Sequence, residues 1–293
     1  MASLTAAGLG AQTAAPKRLP AAPHPVATDS ADRLARGPLQ TVAAQRLDGE
    51  SLHAVSECLA AEVPVAMQYN GRPHAVMLAT PSDLEDFAFG FALTERIIES
   101  VSELTLVDHL WTEHGVALRM LIPQRRFLSL QTRDRNLTGR TGCGLCGTAT
   151  LEAAIRPVRH VDPSGPRANL ETLREGMARL AALQPLNDAS GAVHAAALLS
   201  ADGSFTVRED VGRHNAIDKA VGAVMRAGGA PHTLLVTSRA SYEVVHKAAE
   251  VGCRLVAAIS APTALALRLA QEAGVTLVGW TRPPRLTVFC GQL

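Results

Sequence analysis

Two thiols three residues apart carry the most specific chemical signal in this chain: Thr141-Gly142-Cys143-Gly144-Leu145-Cys146-Gly147. Such a pair can share a charge, exchange disulfides or grip a metal. Glycines on both sides remove bulk, so a partner's sulfur can approach. The polar stretch from Thr132 to Gly142 reads as a loop, with Arg133, Arg135, Arg140 and, nearby, Arg126 as its positive charges. These cations favour the thiolate, as would the first-turn amides of a helix starting near Cys146. The thiolate is the form that attacks another protein's persulfide. In such a pair the first cysteine is normally the exposed attacker. Cys143 is therefore the expected persulfide carrier and Cys146 its partner. Two other readings compete. Half of a zinc site needs four ligands, and with no second CxxC it would have to recruit scattered histidines. A thioredoxin-like redox pair follows the first strand of a compact domain, whereas this one follows an antiparallel segment and a basic loop.

The segment Arg208-Glu209-Asp210-Val211-Gly212-Arg213-His214-Asn215-Ala216-Ile217-Asp218-Lys219 packs seven charged or histidine side chains into one strand-to-helix crossing. Gly212 allows a tight turn, and the helix N-terminus beyond it is ready for an anion. Arg213 and Lys219 are expected to hold phosphate, with Asp210 and Asp218 orienting bases or the arginines. Further polar groups sit where later strands end: Thr237 to Ser241, Ser260 to Thr263, and Trp280-Thr281-Arg282-Pro283-Pro284-Arg285. Ligands of open α/β sheets bind at strand C-termini. Arg239, Arg282 and Arg285 converging there would suit a phosphorylated ligand. Ser241 and Thr263 read as helix caps, and His194 lies in an apolar strand.

The elements that must carry these groups fall into two rhythms. Residues 62–80 alternate as two strands about an Asn70-Gly71 turn. A helix follows, with Ser82 and Glu85 at capping-box spacing and Leu84, Phe87, Ala88, Phe91 and Ala92 on one face. Strands are predicted at 104–108, 116–122 and 127–131, a helix at 148–155 and a linker at 157–168. In the second half, strands at 192–199, 204–208, 233–237, 254–259 and 275–280 alternate with helices at 215–227, 241–251 and 262–273. That pattern predicts a three-layer α/β sheet, largely parallel, preceded by a mixed α+β lobe. The expected organisation is a disordered extension over 1–40, an N-terminal lobe over 41–156 carrying the CxxC loop, and a C-terminal α/β cofactor-binding lobe over 170–293.

Composition narrows the function classes. The net charge is +1 and 47% of residues are hydrophobic. A near-neutral chain has no whole-molecule field for nucleic acid or membrane. The basic pair Lys17-Arg18 follows a small-residue stretch instead of preceding an apolar one, which argues against a signal peptide, and no apolar run reaches membrane length. The five cysteines are an odd number, so they form no disulfide framework, and a cytoplasmic protein is expected.

Together these segments resemble the formate dehydrogenase accessory sulfurtransferase family, FdhD. The resemblance rests on Asp83-Leu84-Glu85-Asp86 with Phe89-Gly90-Phe91, on Thr141–Gly147, on Gly191 to Ala196, on Arg208–Lys219, on Ser238–Glu243, and on Ser260 to Thr263 through Leu277-Val278-Gly279, spanning about residues 45–290. It implies a deaminase-like fold in a homodimer. It also implies sulfur taken from a cysteine desulfurase and delivered to bis-molybdopterin guanine dinucleotide for formate dehydrogenase. The family's persulfide cysteine falls on Cys143 and its cofactor-binding stretch on Trp280–Arg285. The chain departs from the pattern at Arg96, where Thr-Glu-Gly is usual, and at Pro283-Pro284. A zinc-dependent deaminase-like hydrolase is the alternative. It needs His-x-Glu and Pro-Cys-x-x-Cys, but none of the ten histidines has Glu two residues on and Gly142 precedes Cys143. A chaperone that only binds cofactor would not need the thiols.

Overall fold

The computed structural model describes residues 36–134, 137–141, 146–148, 157–162, 164, 168–282 and 285–293, with backbone only at 133–134, 137–141 and 146–148. It opens with a long antiparallel ribbon, β1 (Leu39–Asp48) and β2 (Ser51–Ala60), paired along its whole length. The sequence gives little sign of it. Both faces carry exposed residues, Leu47, Leu52 and Leu59 among them, so the alternation of a half-buried strand is lacking.

The predicted hairpin is present as β3 (Val63–Tyr69) and β4 (Arg72–Ala79). Val63, Val65, Met67 and Tyr69 point into the core, and Asn70 and Gly71 both take the positive φ that a tight hairpin turn of this kind requires. With β5 (Thr105–Thr112) and β6 (Gly115–Leu121) they form a four-stranded sheet in the order β4-β3-β6-β5. Helix α1 (Leu84–Thr94) fills its inner face with Phe87 and Phe91. Its cap is not Ser82: Asp83 holds the N-cap position at φ 50°, with no capping side-chain hydrogen bond.

The strand predicted at 127–131 is instead part of helix α2 (Gln124–Asp134). The Pro123 carbonyl accepts the first amides, those of Arg126 and Phe127, and Phe127 and Leu130 turn inward one helical turn apart. A five-residue apolar window fits either period, which explains the misreading. The stretch expected to be a loop comprises the end of α2 and strand β7 (Leu137–Thr141), paired antiparallel with β8 (Cys146–Thr148). Cys146 thus starts a strand, not a helix. The helix predicted over 148–155 lies beyond Thr148 outside the described residues.

Two helices follow that the sequence reading passed over, α3 (Leu170–Ala182) and α4 (Pro185–Ser190). The second sheet has six strands: β9 (His194–Ser200), β10 (Phe205–Asp210), β11 (Pro231–Val236), β12 (Leu255–Ala258), β13 (Thr276–Gly279) and β14 (Thr287–Cys290), ordered β10-β9-β11-β12-β13-β14. Its helices α5 (Arg213–Arg226), α6 (Tyr242–Glu250) and α7 (Ala264–Ala273) lie close to prediction. Only the β11-β12 and β12-β13 pairings are parallel, so the sheet is mixed and not largely parallel. The β9–β10 hairpin turns through Asp202-Gly203, and a connection that short can only join antiparallel strands.

Alternation along the central strands builds the layers. Ala195, Ala197, Leu235, Ala257 and Val278 face Leu173, Met177 and Leu180 of α3. Their neighbours Ala196, Leu198, Leu234, Val236 and Val256 face the core shared with α5 and α6. That core continues through α1 to the inner face of the four-stranded sheet, so it spans both expected lobes. The junction is the crossing of α1 with α5. A Cβ on Gly90 would overlap the Asp218 carbonyl, and one on Gly222 would overlap the Asp86 carbonyl.

Candidate functional site

Strand β9 is antiparallel to both β10 and β11, so β10, β11, β12 and β13 run in one direction. Their C-terminal ends share one edge, and α5, α6 and α7 begin there at Gly212, Ser241 and Thr263. Strand β9 starts at the same edge, pairing His194 with Asp210. The topology therefore gathers the strand-end residues picked out in the sequence.

Arg213 opens α5 and is half-buried, while Arg239, Arg282 and Arg285 are exposed. Among the described residues none of these four pairs with a carboxylate. The chain after β13 is fixed by its neighbours. Thr281 Oγ1 is buried and donates to the Ala258 carbonyl at 3.0 Å, and the Trp280 amide donates to the Ser260 carbonyl. Trp280, at φ 51°, packs against Phe289 with ring centroids 5.3 Å apart, and the Arg285 guanidinium lies 4.1 Å from the Trp280 centroid. The indole is thus committed to its own chain, and Arg285 is spread over it. Arg282 is left pointing outward. Pro283 and Pro284 lie outside the described residues.

His214 is buried and links two of the helices, its Nε2 2.7 Å from Glu243 Oε2 on α6. His194 is half-buried beside it. Burial, and then the charges of Arg213 and His214, push its pKa below the usual imidazole value. Glu243 entered the sequence reading only as the end of a motif. Lys247, one turn further along α6, was missed. Its sole signal is a cation inside an otherwise apolar helix face.

Lys219 does not act as expected. It is fully buried, its Nζ 2.7 Å from Asp210 Oδ2 and donating to the Thr80 carbonyl at 2.8 Å. Asp210 also accepts from the Thr80 and Gly212 amides and from Asn215 Nδ2. Asp218 is likewise interior, bonded to Thr94 Oγ1 at 2.7 Å and to Lys247 Nζ at 2.9 Å. Burial raises its carboxyl above the usual range, with Lys247 opposing. Three of the seven, Asp210, Asp218 and Lys219, therefore fasten α5 to α1, the end of β4 and α6 instead of facing a ligand.

The thiol motif is defined by what flanks it. Cys143 lies outside the described residues, and Cys146 pairs in register with Thr141 at the start of β8. Arg126 does not serve the basic loop: it is held between Glu99 and Glu103 at 2.6 and 3.0 Å. Of the remaining cysteines, Cys58 is half-buried on β2, and the other two are held as thiols. Cys253 is buried, and burial pushes its thiol up to about 12, while burial also raises Cys290. Among the described residues, no three His, Cys, Asp or Glu side chains gather as metal ligands. No described helix is long and apolar enough to cross a membrane.

The FdhD/NarQ family model matches residues 60–293, which takes in the thiol motif, the strand-to-helix crossing and the sheet edge. The chain belongs to the FdhD/NarQ family. A protein of Cupriavidus necator named sulfur carrier protein FdhD is 46% identical over 272 residues, covering 91% of this chain and 92% of its own. One of the same name from Variovorax paradoxus is 47% identical over 79% of this chain and 84% of its own. A crystal structure from Desulfotalea psychrophila, described as a candidate formate dehydrogenase accessory protein, shares the fold. It superposes with a TM-score of 0.64 at 22% identity, covering 86% of this chain and 97% of that one.

Proposed function

We propose that this FdhD/NarQ protein is a sulfurtransferase that carries sulfur as a persulfide on Cys143. The observation behind this is that relatives named sulfur carrier protein FdhD match nearly the whole chain, which also holds two glycine-flanked thiols in one motif. In the acceptance step the Cys143 thiolate attacks the terminal sulfur of a cysteine desulfurase persulfide. The donor's S–S bond breaks, the donor cysteine leaves as thiolate, and Cys143 becomes the persulfide, with no net oxidation. Cys146 is the partner thiol. The sulfur then passes to bis-molybdopterin guanine dinucleotide, a bound substrate destined for formate dehydrogenase.

The sheet edge suits the anionic end of that substrate. Arg213, Arg239 and Arg282 lie on it without carboxylate partners among the described residues, and helix N-termini add their amides. Arg285 contributes through its place over Trp280. Thr281 and His214 fix the local backbone and helix spacing, and Lys219 contributes only through the packing of α5. We read the six-stranded sheet as the deaminase-like core that the family resemblance implies, in a cytoplasmic homodimer.

The decisive experiment is intact mass after incubation with a cysteine desulfurase and cysteine. A gain of about 32 Da, one sulfur atom, mapped to the Cys143 peptide supports the proposal. If Cys143→Ala still gains sulfur on Cys146 and still supports full dehydrogenase activity, the assignment of Cys143 is wrong.

A further inference from the structure

The connection between α1 and β5 touches described residues on both sides of the thiol motif. On the near side, Glu99 and Glu103 hold α2, the helix that runs into β7. Arg126 donates to Glu99 Oε1 at 2.8 Å and to Glu103 Oε2 at 3.0 Å, and Arg125 reaches Glu103 Oε1 at 2.5 Å. The Glu99 amide donates to Glu103 Oε2 at 2.8 Å, which ties the two acids into one unit. On the far side, Arg96 Nη2 donates to the Pro157 carbonyl at 3.1 Å, the first described residue after the motif. Its Nε also donates to Glu250 Oε2 at 2.6 Å. The Glu250 carbonyl in turn accepts from Arg159 at 3.2 Å. Two residues on, the Val161 amide donates to the Ala273 carbonyl. A cleft of about 690 Å³ opens beside Arg96, Arg159 and Glu250.

Arg96 is an unexpected residue for this place. It sits at φ 55°, a left-handed conformation that disfavours side chains with a Cβ. What it gains there is a two-nitrogen grip on Glu250, whose side chain is only 4% exposed.

We propose that Arg96, Glu99 and Glu103 are positioning residues for sulfur transfer. One short connection holds α2, which precedes the thiol motif, and Pro157, which follows it, and so sets where Cys143 can meet a donor. The proposal rests on the sulfur-carrier reading above. Catalytic steps that need two groups in register lose rate steeply on small misplacement, so the effect belongs to productive encounter and not to thiol chemistry.

The test uses the full chain with a cysteine desulfurase titrated against it in excess cysteine, reading persulfide on the Cys143 peptide. Glu99→Ala with Glu103→Ala is expected to raise the half-saturating desulfurase concentration by roughly ten-fold. Arg96→Ala with Glu250→Gln, which leaves no buried charge unpaired, is expected to do the same. The rate of Cys143 alkylation by iodoacetamide should stay at the wild-type value in both, and Arg126→Lys should keep part of the wild-type saturation. Wild-type saturation in both double variants overturns the positioning role. So does an alkylation rate that falls in step with transfer, since the change would then lie in the thiol itself. Absence of sulfur on the wild-type chain overturns the carrier reading instead.

Discussion

At the scale of single residues, the charged segment Arg208–Lys219 divides into groups that face outward and groups that hold the fold. Lys219 and Asp210 form a pair with both side chains wholly buried. Lys219→Met would leave Asp210 with amide donors but no cation, and removing one partner of a buried pair costs about 3–5 kcal/mol. Urea denaturation should show that loss; a change under about 1 kcal/mol would mean that the amide donors suffice. The sequence marked this segment as functional by its density of charge, yet charge density does not say which side of a helix is buried. The apolar residues Ile217, Ala220, Val221 and Val224 did mark the inner face of α5, but Lys219 and Asp218 share it. Glu103 offers a second residue-level check. The Glu99 amide and, against the pull of burial, Arg125 and Arg126 lower its pKa from 4.5 to about 2. A carboxylate held lower in the folded chain adds stability where it is ionised. That contribution is full above pH 4.5 and disappears as pH falls towards 2. Urea midpoints across this window should slope more steeply for wild type than for Glu103→Gln; parallel slopes would count against the network.

At the scale of elements, the crossing of α1 and α5 is the closest approach that glycines make among the described residues. Backbone meets backbone where Gly90 faces Asp218 and Gly222 faces Asp86. Gly222→Ala forces the helices apart, and with them the two sheets. Overpacking of a close-packed joint typically costs about 1–3 kcal/mol and sometimes more, so urea denaturation should place this variant at or beyond the top of that range. Wild-type stability would show that the crossing can slide. This joint was invisible in the sequence because a glycine inside a helix reads only as a weak former. Elements with strong local signals were legible: α5, α6 and α7 ended near Gly228, Gly252 and Gly274, each at positive φ. Elements defined by distant partners were not. The β1–β2 ribbon has no buried face to impose a period, and α2 takes its inward face from a sheet built earlier in the chain. The Ser82 cap failed for a related reason, since Asp83 takes its place at an unusual φ with Arg208 Nε 3.4 Å from its carboxylate, a contact remote in sequence, whereas Thr263 caps α7 as read, accepting from the Ala266 amide.

At the scale of the whole molecule, strand direction decides where a ligand can sit. The strand ends were placed correctly from sequence although the sheet proved mixed, because β10 to β13 keep one direction despite the antiparallel β9 between them. Arg213, Arg239 and Arg282 reach one edge by that route, while the thiol motif lies between β7 and β8, outside that sheet. The proposed division of labour places the nucleotide at the edge and the sulfur on the motif. GDP serves as a surrogate for the nucleotide end of the cofactor in calorimetric titration. A charge-assisted hydrogen bond is worth about 1.5–3 kcal/mol, so Arg282→Ala should weaken GDP binding by roughly ten- to a hundred-fold. Arg285→Ala should cost less, since its guanidinium already rests on Trp280. Cys143→Ala should leave the affinity near wild type. If Arg282→Ala binds GDP normally while neutralising Arg133, Arg135 and Arg140 abolishes binding, nucleotide and sulfur share one lobe, and the edge built by β10 to β13 serves some other ligand.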